Sequence, residues 1–366
     1  MTSIADDLDT RFDQTPEPDA PLGERVRTRL VELVDERAQM LLDVSPDLAP
    51  VVDAARDLVA RGKRVRASFC YWGWRGAGEP DSDVAVRAAA SLELFHAAAL
   101  VHDDLMDRSD TRRGMPSTHL RFADQHRDGA MDGDPVQFGD GAALLVGDLL
   151  LSWSDEMLAD CGASPAAVRR ARRVYAQMRT QVMGGQYLDV LEQARPGVRA
   201  DASATVLRYK SAKYSVEHPL VLGGALAGAP RELLDGYAAF GLPVGEAFQL
   251  RDDLLGVFGD PATTGKPVGD DLREGKKTLL VAIARERAGL QQRAHLDGLL
   301  GDPDLDDDGR SVLARVLVDT GAVDEVEARI DALVAEAETH LHALQLPDDA
   351  HLVLADLAVT STRRTA

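Results

Sequence analysis

The chain has few cysteines, a shortage of positive charge and no long apolar run. Of its 366 residues only Cys70 and Cys161 carry thiols. So far apart, they make neither a disulfide framework nor a metal-ligand spacing, and they read as ordinary buried thiols in a reducing, cytoplasmic setting. Lys and Arg number 41 against 61 Asp and Glu, a formal net charge of -20. That balance excludes generic nucleic-acid binding, which leaves a basic footprint. The apolar stretch 142–153 is short and broken by Asp148, so no membrane span is expected. Residues 1–23 are acidic, contain Pro and lack an apolar h-region, so they do not resemble a signal peptide. Residues 1–22 read as a disordered arm.

What is present is helix after helix, with no alternating strand pattern to compete. Val26, Leu30, Leu33, Val34 and Leu41 recur at helical spacing, and Ser45-Pro46 has the form of an N-cap followed by Pro at the first helical position. Asp83 or Ser82 caps an Ala-rich helix. Ser164-Pro165 starts another that runs toward Arg195 before Pro196 stops it. Val323, Val326, Ile330, Leu333, Val334, Ala337 and Leu341 form a further amphipathic stripe after Gly321. Residues 125–140, rich in Asp and Gly, read as an exposed insertion, and 259–275 as a second long loop. With no linker or repeat, residues 23–366 read as one all-α domain, a helical bundle.

The most informative stretch is 102–114, His-Asp-Asp-Leu-Met-Asp-Arg-Ser-Asp-Thr-Arg-Arg-Gly. Asp103 and Asp107, four apart at the C-terminal end of the Ala-rich helix, share a face. Like charges repel there, and the helix dipole disfavours anions at that end. A compensating cation is implied. Mg2+ suits the position, because it is held by one or two carboxylates and completes its shell with water and phosphate oxygens. Arg112 and Arg113 add planar donors for phosphate. Taken alone, the motif equally fits a solvated acidic helix end followed by a basic turn.

A second acidic pair, Asp252-Asp253 in Phe-Gln-Leu-Arg-Asp-Asp-Leu-Leu-Gly, also leaves a long apolar helix, and a basic element, Gly62-Lys63-Arg64-Val65-Arg66, lies upstream. The ordered set continues with His96, Gly147-Asp148, Gly185-Gln186 with Asp189, Lys210-Ser211, Gln249 and Gly265-Lys266. In this set the chain resembles the trans-isoprenyl diphosphate synthases, over most of its length. The resemblance implies an antiparallel helical bundle around a central prenyl-chain cavity. It also implies a prenyltransferase that joins isopentenyl diphosphate head-to-tail to an allylic diphosphate by ionisation, condensation and elimination.

Residue by residue, the resemblance implies Asp103, Asp107 and Asp252 as metal ligands, with Asp104 and Asp253 ligating or orienting, for three Mg2+ ions that Mn2+ can replace. Arg112, Lys210 and Lys266 clamp the allylic diphosphate. Lys63, Arg66, His96 and Arg113 bind isopentenyl diphosphate, although a lone histidine in a helix also reads as a hydrogen-bonded core residue. Gln249 and the carbonyls near Lys210-Ser211 face the carbocation, and Gln186 and Asp189 either orient the metal shell and a basic side chain or simply hydrogen-bond between helices. A homodimer is the implied assembly. Arg363 and Arg364 either close over a diphosphate or form a basic tail.

Product length turns on the helix before Asp103. Ala98 and Ala99, one turn back, are too small to block a growing tail, and Phe95, about 12 Å back along the axis, is the first bulky candidate floor unless it faces another helix as core. Met178 and Met183 are alternative trimming residues. The expected product is C20 geranylgeranyl diphosphate, with C25 or longer as the alternative. One departure stands out: many members have a third Asp where this chain has Gly256, which leaves open a non-catalytic partner subunit. A class I terpene cyclase is disfavoured, since its second metal motif is not found around Asp252.

Overall fold

The computed structural model describes residues 20–259 and 269–363. The arm up to residue 19, Gly265, Lys266 and Arg364 lie outside them. Leu22, the last residue of the expected arm, already begins a helix.

Helix α1 (Leu22–Val44) buries Val26, Leu30, Leu33 and Val34 along one stripe. A 3-10 turn (Pro46–Leu48) follows, its start fixed by the Ser45 hydroxyl accepting from the Asp47 N–H. Next come α2 (Ala49–Ala60), α3 (Val65–Gly76) and α4 (Asp83–Asp107), whose N-cap is Ser82. Two-residue strands β1 (Thr111–Arg112) and β2 (Met115–Pro116) pair antiparallel, Arg112 opposite Met115. Arg113 and Gly114 between them both have positive φ, 54° and 74°, the signature of a type I′ turn. This hairpin is the one addition to the expected all-α class among the described residues.

Then follow α5 (Thr118–Asp128), α6 (Pro135–Ala159) and α7 (Pro165–Ala194). The expected irregular stretch 125–140 is corrected here, because only 129–134 lie between helices. Asp134 accepts from the Val136 N–H at 3.0 Å, and Pro135 takes the first helical position, a start signal hidden by the surrounding Gly and Asp residues. Helix α8 (Ala200–Val206) runs into a π-helix (Leu207–Glu217), followed by α9 (His218–Ala227) and α10 (Arg231–Phe258). The chain closes with α11 (Asp270–Arg273), α12 (Leu279–Arg287), α13 (Leu290–Leu299), α14 (Asp307–Asp319), α15 (Ala322–His342) and α16 (Asp348–Thr362).

Helix α4 is the hub. Ala85, Ala88, Ala89 and Ala90 are fully or almost fully buried, and the short side chains let α1, α3 and α6 close around it. By length and composition it is the one described helix able to cross a bilayer, but 72% of its apolar window is buried by its neighbours. That burial is the mark of a core helix. Cys70 and Cys161 sit in the same apolar cluster, unbonded. A second cluster joins α10 to α12, α14 and α15, which positions the C-terminal end of α10 beside that of α4.

Candidate active site

The ends of α4 and α10 meet at one cavity of about 950 Å³. Small-molecule sites range over roughly 300–1,000 Å³, so this one has room for more than a single compact ligand. Asp103 and Asp252 both line it, from α4 and α10, with Gln249 one turn behind Asp252. Lys210 and Ser211 reach it from the π-helix, a backbone form that recurs at functional sites. Gly185 on α7 lets the two main chains touch, since a β-carbon there would lie 2.4 Å from the Lys210 nitrogen.

Lys210 Nζ is 2.9 Å from Asp103 Oδ1 and 2.6 Å from Asp189 Oδ2, and Gln186 donates to Asp103 at 3.0 Å. Burial alone would push the Asp103 carboxyl up. Lys210, Lys276 and Arg112 overcome that and hold it well below the ordinary carboxylate range. Asp103 is thus held as an anion, and Lys210, although burial opposes its charge, is kept protonated by Asp103 and Asp189.

The other two aspartates of the first motif are not in the cavity wall. Asp104, on the next helical face, is buried against Arg112, whose Nε donates to its Oδ1 at 2.8 Å. Asp107 lies behind Lys276, whose Nζ is 3.8 Å from Asp107 Oδ2, 3.1 Å from Asp271 Oδ1 and 2.7 Å from Glu274 Oε2. Burial and then the charge of Asp103 raise Asp107 to about 6. Neither oxygen of Asp107 has a hydrogen-bond partner among the described residues, although both are buried.

An unsatisfied buried carboxylate beside an ionised one fits a cation site. Among the described residues, however, no three Asp, Glu, His or Cys side chains converge tightly enough to cage an ion. Of the expected metal ligands, Asp103 and Asp252 line the cavity and Asp107 lies behind Lys276. Two facing acidic groups suit hard cations that are shared with a diphosphate.

In the second motif Asp253 is buried and hydrogen-bonded to Gln249 at 2.8 Å, and burial drives its pKa well above the carboxylate range. The third acidic position is empty at Gly256, yet Asp271 occupies that space: a β-carbon on Gly256 would lie 1.9 Å from Asp271 Oδ2. Arg251, facing away, ties the motif to α15 and α16 through Glu327 at 2.6 Å and the Thr362 carbonyl at 2.9 Å.

The opposite side of the cavity is basic. Lys63, Arg66, His96 and Arg113 line it, and Arg112 stands between them and the Asp103 side. Arg66 donates to Tyr214 Oη at 2.6 Å and to Ser215 Oγ at 2.9 Å. Arg113 donates to the carbonyls of Leu58 and Arg61 at 3.0 and 2.5 Å, which braces the Gly62-Lys63 turn. Arg64 also lines the cavity, paired with Glu93 at 3.6 Å. Burial first, then Arg66 and Arg113, hold the His96 pKa well below its ordinary value.

Below this rim the walls are apolar. Ala98 and Ala99 line the cavity, as does Phe95, which is 3% exposed and packed edge-on to Tyr175 and Tyr214 at 6.0 and 6.1 Å. Met183 also lines it, but Met178 is fully buried and absent from the wall, so it does not trim the pocket. Sequence reasoning passed over Glu93, Tyr214, Asp271, Glu274 and Lys276. For Asp271 to Lys276 the only signal was a charge cluster following the second motif.

The Polyprenyl synthetase family model matches residues 49–316. A geranylfarnesyl diphosphate synthase of Aeropyrum pernix is 34% identical over 86% of this chain and 94% of its own length. A (2E,6E)-farnesyl diphosphate synthase of Mycobacterium tuberculosis is 32% identical over 96% and 97%. Among solved structures, a geranylgeranyl pyrophosphate synthase of Corynebacterium glutamicum, complexed with isoprenyl diphosphate and magnesium, superposes with a TM-score of 0.91 at 38% identity, covering 94% of this chain and 99% of that one. These relatives are named for products of different length, and the family match with the shared fold places the chain among them: it belongs to the polyprenyl synthetase family and is a prenyltransferase.

Proposed function

We propose that the protein, with residues 23–366 as one catalytic unit, condenses isopentenyl diphosphate with allylic diphosphates in a Mg2+-dependent reaction that ends at C20 geranylgeranyl diphosphate. The observation that carries this reading is the division of one cavity into an acidic side with Lys210, a basic side with Arg66 and His96, and an apolar floor at Phe95.

Asp103, Asp107 and Asp252 would hold the metal, with Asp271 beside them, and the bound ions supply Lewis-acid neutralisation of the leaving diphosphate. Lys210 and Arg112 orient that diphosphate against the acidic side, so that ionisation breaks its bond to the allylic carbon and takes the electron pair with it. Lys63, Arg66, His96 and Arg113 fix the second diphosphate, which places the isopentenyl double bond toward the cation. Its π electrons form the new carbon–carbon bond. The Gln249 amide and the main-chain carbonyls near Ser211 face the positive charge without bonding to it, and the released diphosphate takes the departing proton.

Support for a C20 limit comes from Ala98 and Ala99 being open and Phe95 closing the path. The test is incubation with isopentenyl diphosphate and dimethylallyl, geranyl or farnesyl diphosphate, with and without Mg2+. Products ending at C20 are expected. Longer products would keep the chemistry and remove Phe95 as the floor, and no condensation from folded protein would overturn the reading.

The same reading includes a homodimer. Phe138, Leu144 and Leu145 on α6 are exposed apolar side chains outside the cavity wall. Light scattering should give twice the chain mass, and Leu145→Glu should halve it.

A further inference from the structure

Tyr214 connects parts of the cavity that the proposed reaction treats separately. It lies in the π-helix and lines the cavity. Its hydroxyl receives a hydrogen from Arg66 Nη2 at 2.6 Å and lies 3.2 Å from His96 Nδ1. Its ring lies beneath the same guanidinium, 4.3 Å from Arg66 Cζ, and meets Phe95 edge-on at 6.1 Å.

A phenol oxygen donates once and can accept twice, so either Tyr214 donates to His96 Nδ1 or His96 donates to it; the second arrangement leaves the tyrosine hydrogen without an acceptor among the described residues, and the first is favoured. An arginine cannot give up its charge, so Arg66 is the donor in its contact. The tyrosine hydrogen is therefore free to point at His96, and a neutral imidazole that accepts at Nδ1 must carry its own hydrogen on Nε2. His96 is held neutral by burial and by the surrounding arginines. Arg66 in turn keeps Nε buried and without a partner among the described residues. One tyrosine thus leaves two N–H donors, Arg66 Nε–H and His96 Nε2–H, uncommitted beside the cavity.

We propose that Tyr214 is a positioning residue that sets the His96 tautomer and the Arg66 orientation for the diphosphate of isopentenyl diphosphate, while its ring backs Phe95. This rests on the proposed function for the identity of the anion; the tautomer does not depend on it.

Tyr214→Phe keeps the ring and removes only the hydroxyl. KM for isopentenyl diphosphate should rise roughly 10- to 100-fold, the range for one hydrogen bond to a charged group, with kcat, the KM of the allylic substrate and product length little changed. Tyr214→Leu should raise the same KM and also lengthen the product, because Phe95 loses its backing. Long-range nitrogen NMR on histidine-labelled full-length protein should show His96 as the Nε2–H tautomer, mixed in Tyr214→Phe. An unchanged KM for isopentenyl diphosphate in Tyr214→Phe, a fall in kcat alone, or an Nδ1–H tautomer in the unaltered protein would overturn the proposal. The NMR measurement needs no turnover, so it decides this inference even where the unaltered protein condenses nothing.

Discussion

Asp271 stands where a side chain on Gly256 would have to be, its Oδ2 only 1.9 Å from the β-carbon position. The segment is held there by the Gly269 N–H, which donates to the Gly256 carbonyl at 3.2 Å, and by Lys276, 3.1 Å from Asp271 Oδ1. The acid that the second motif lacks is replaced in space by one from farther along the chain. Gly256→Asp should therefore displace Asp271 and lower the condensation rate by at least about 10-fold, the scale of one lost positioning contact. Adding Asp271→Gly should restore part of it. Initial rates against Mg2+ concentration check both, and a double variant no better than the single one would refute replacement.

Lys210 and Lys276 already compensate the acidic side of the cavity. Chelation of metal should consequently stop turnover while far-UV circular dichroism stays unchanged. Asp103→Asn should lower kcat about 100-fold or more, in the range for removing one electrostatic contact to a transition state. Rates in Mg2+ and in Mn2+ test this, and a variant within a few-fold of the parent in both ions would remove Asp103 from the machinery.

Phe95 lines the cavity and is packed into the core. Phe95→Ala should lengthen the product by one or more isoprene units and cost about 3–5 kcal/mol of stability. Chromatography of the dephosphorylated products reads the first effect and urea unfolding the second. Destabilisation with an unchanged product would show Phe95 to be core alone.

His218 is buried, with Nε2 2.9 Å from Gln181 Oε1, and burial lowers its pKa to about 4. In the unfolded chain it titrates near 6.5. Above that pH neither state binds the proton and nothing is lost. Between 6.5 and 4 the unfolded state takes it up and the folded state does not, so stability falls by about 1.4 kcal/mol per pH unit, to roughly 3 kcal/mol in all. Urea midpoints at pH 7.5 and 5 should show this fall, and His218→Gln should flatten its share of it.

The sequence disclosed what lies within one or two helical turns. Asp103 and Asp107 on one face, the Ser82 and Ser164 caps and the α15 stripe all follow from local spacing. Lys276, Asp271 and Glu93 do not, because their roles arise where distant segments meet. Tyr214 was hidden for a second reason: the π-helix shifts its register, so 3.6-residue spacing misplaces it relative to His96 and Phe95. The 125–140 stretch was misread because composition outweighed the Asp134-Pro135 signal.

The contact at Gly185 has a practical consequence for redesign. Main chain against main chain fixes how far the π-helix stands from α7, and so where Lys210 meets Asp103 and Asp189, whereas the depth of the pocket rests on side chains at 95, 98 and 99. On the proposed reading, product length should follow those side chains while the Lys210 contacts stay in place. A series of enzymes differing only at those three positions should share one rate of bond formation and diverge in what they release.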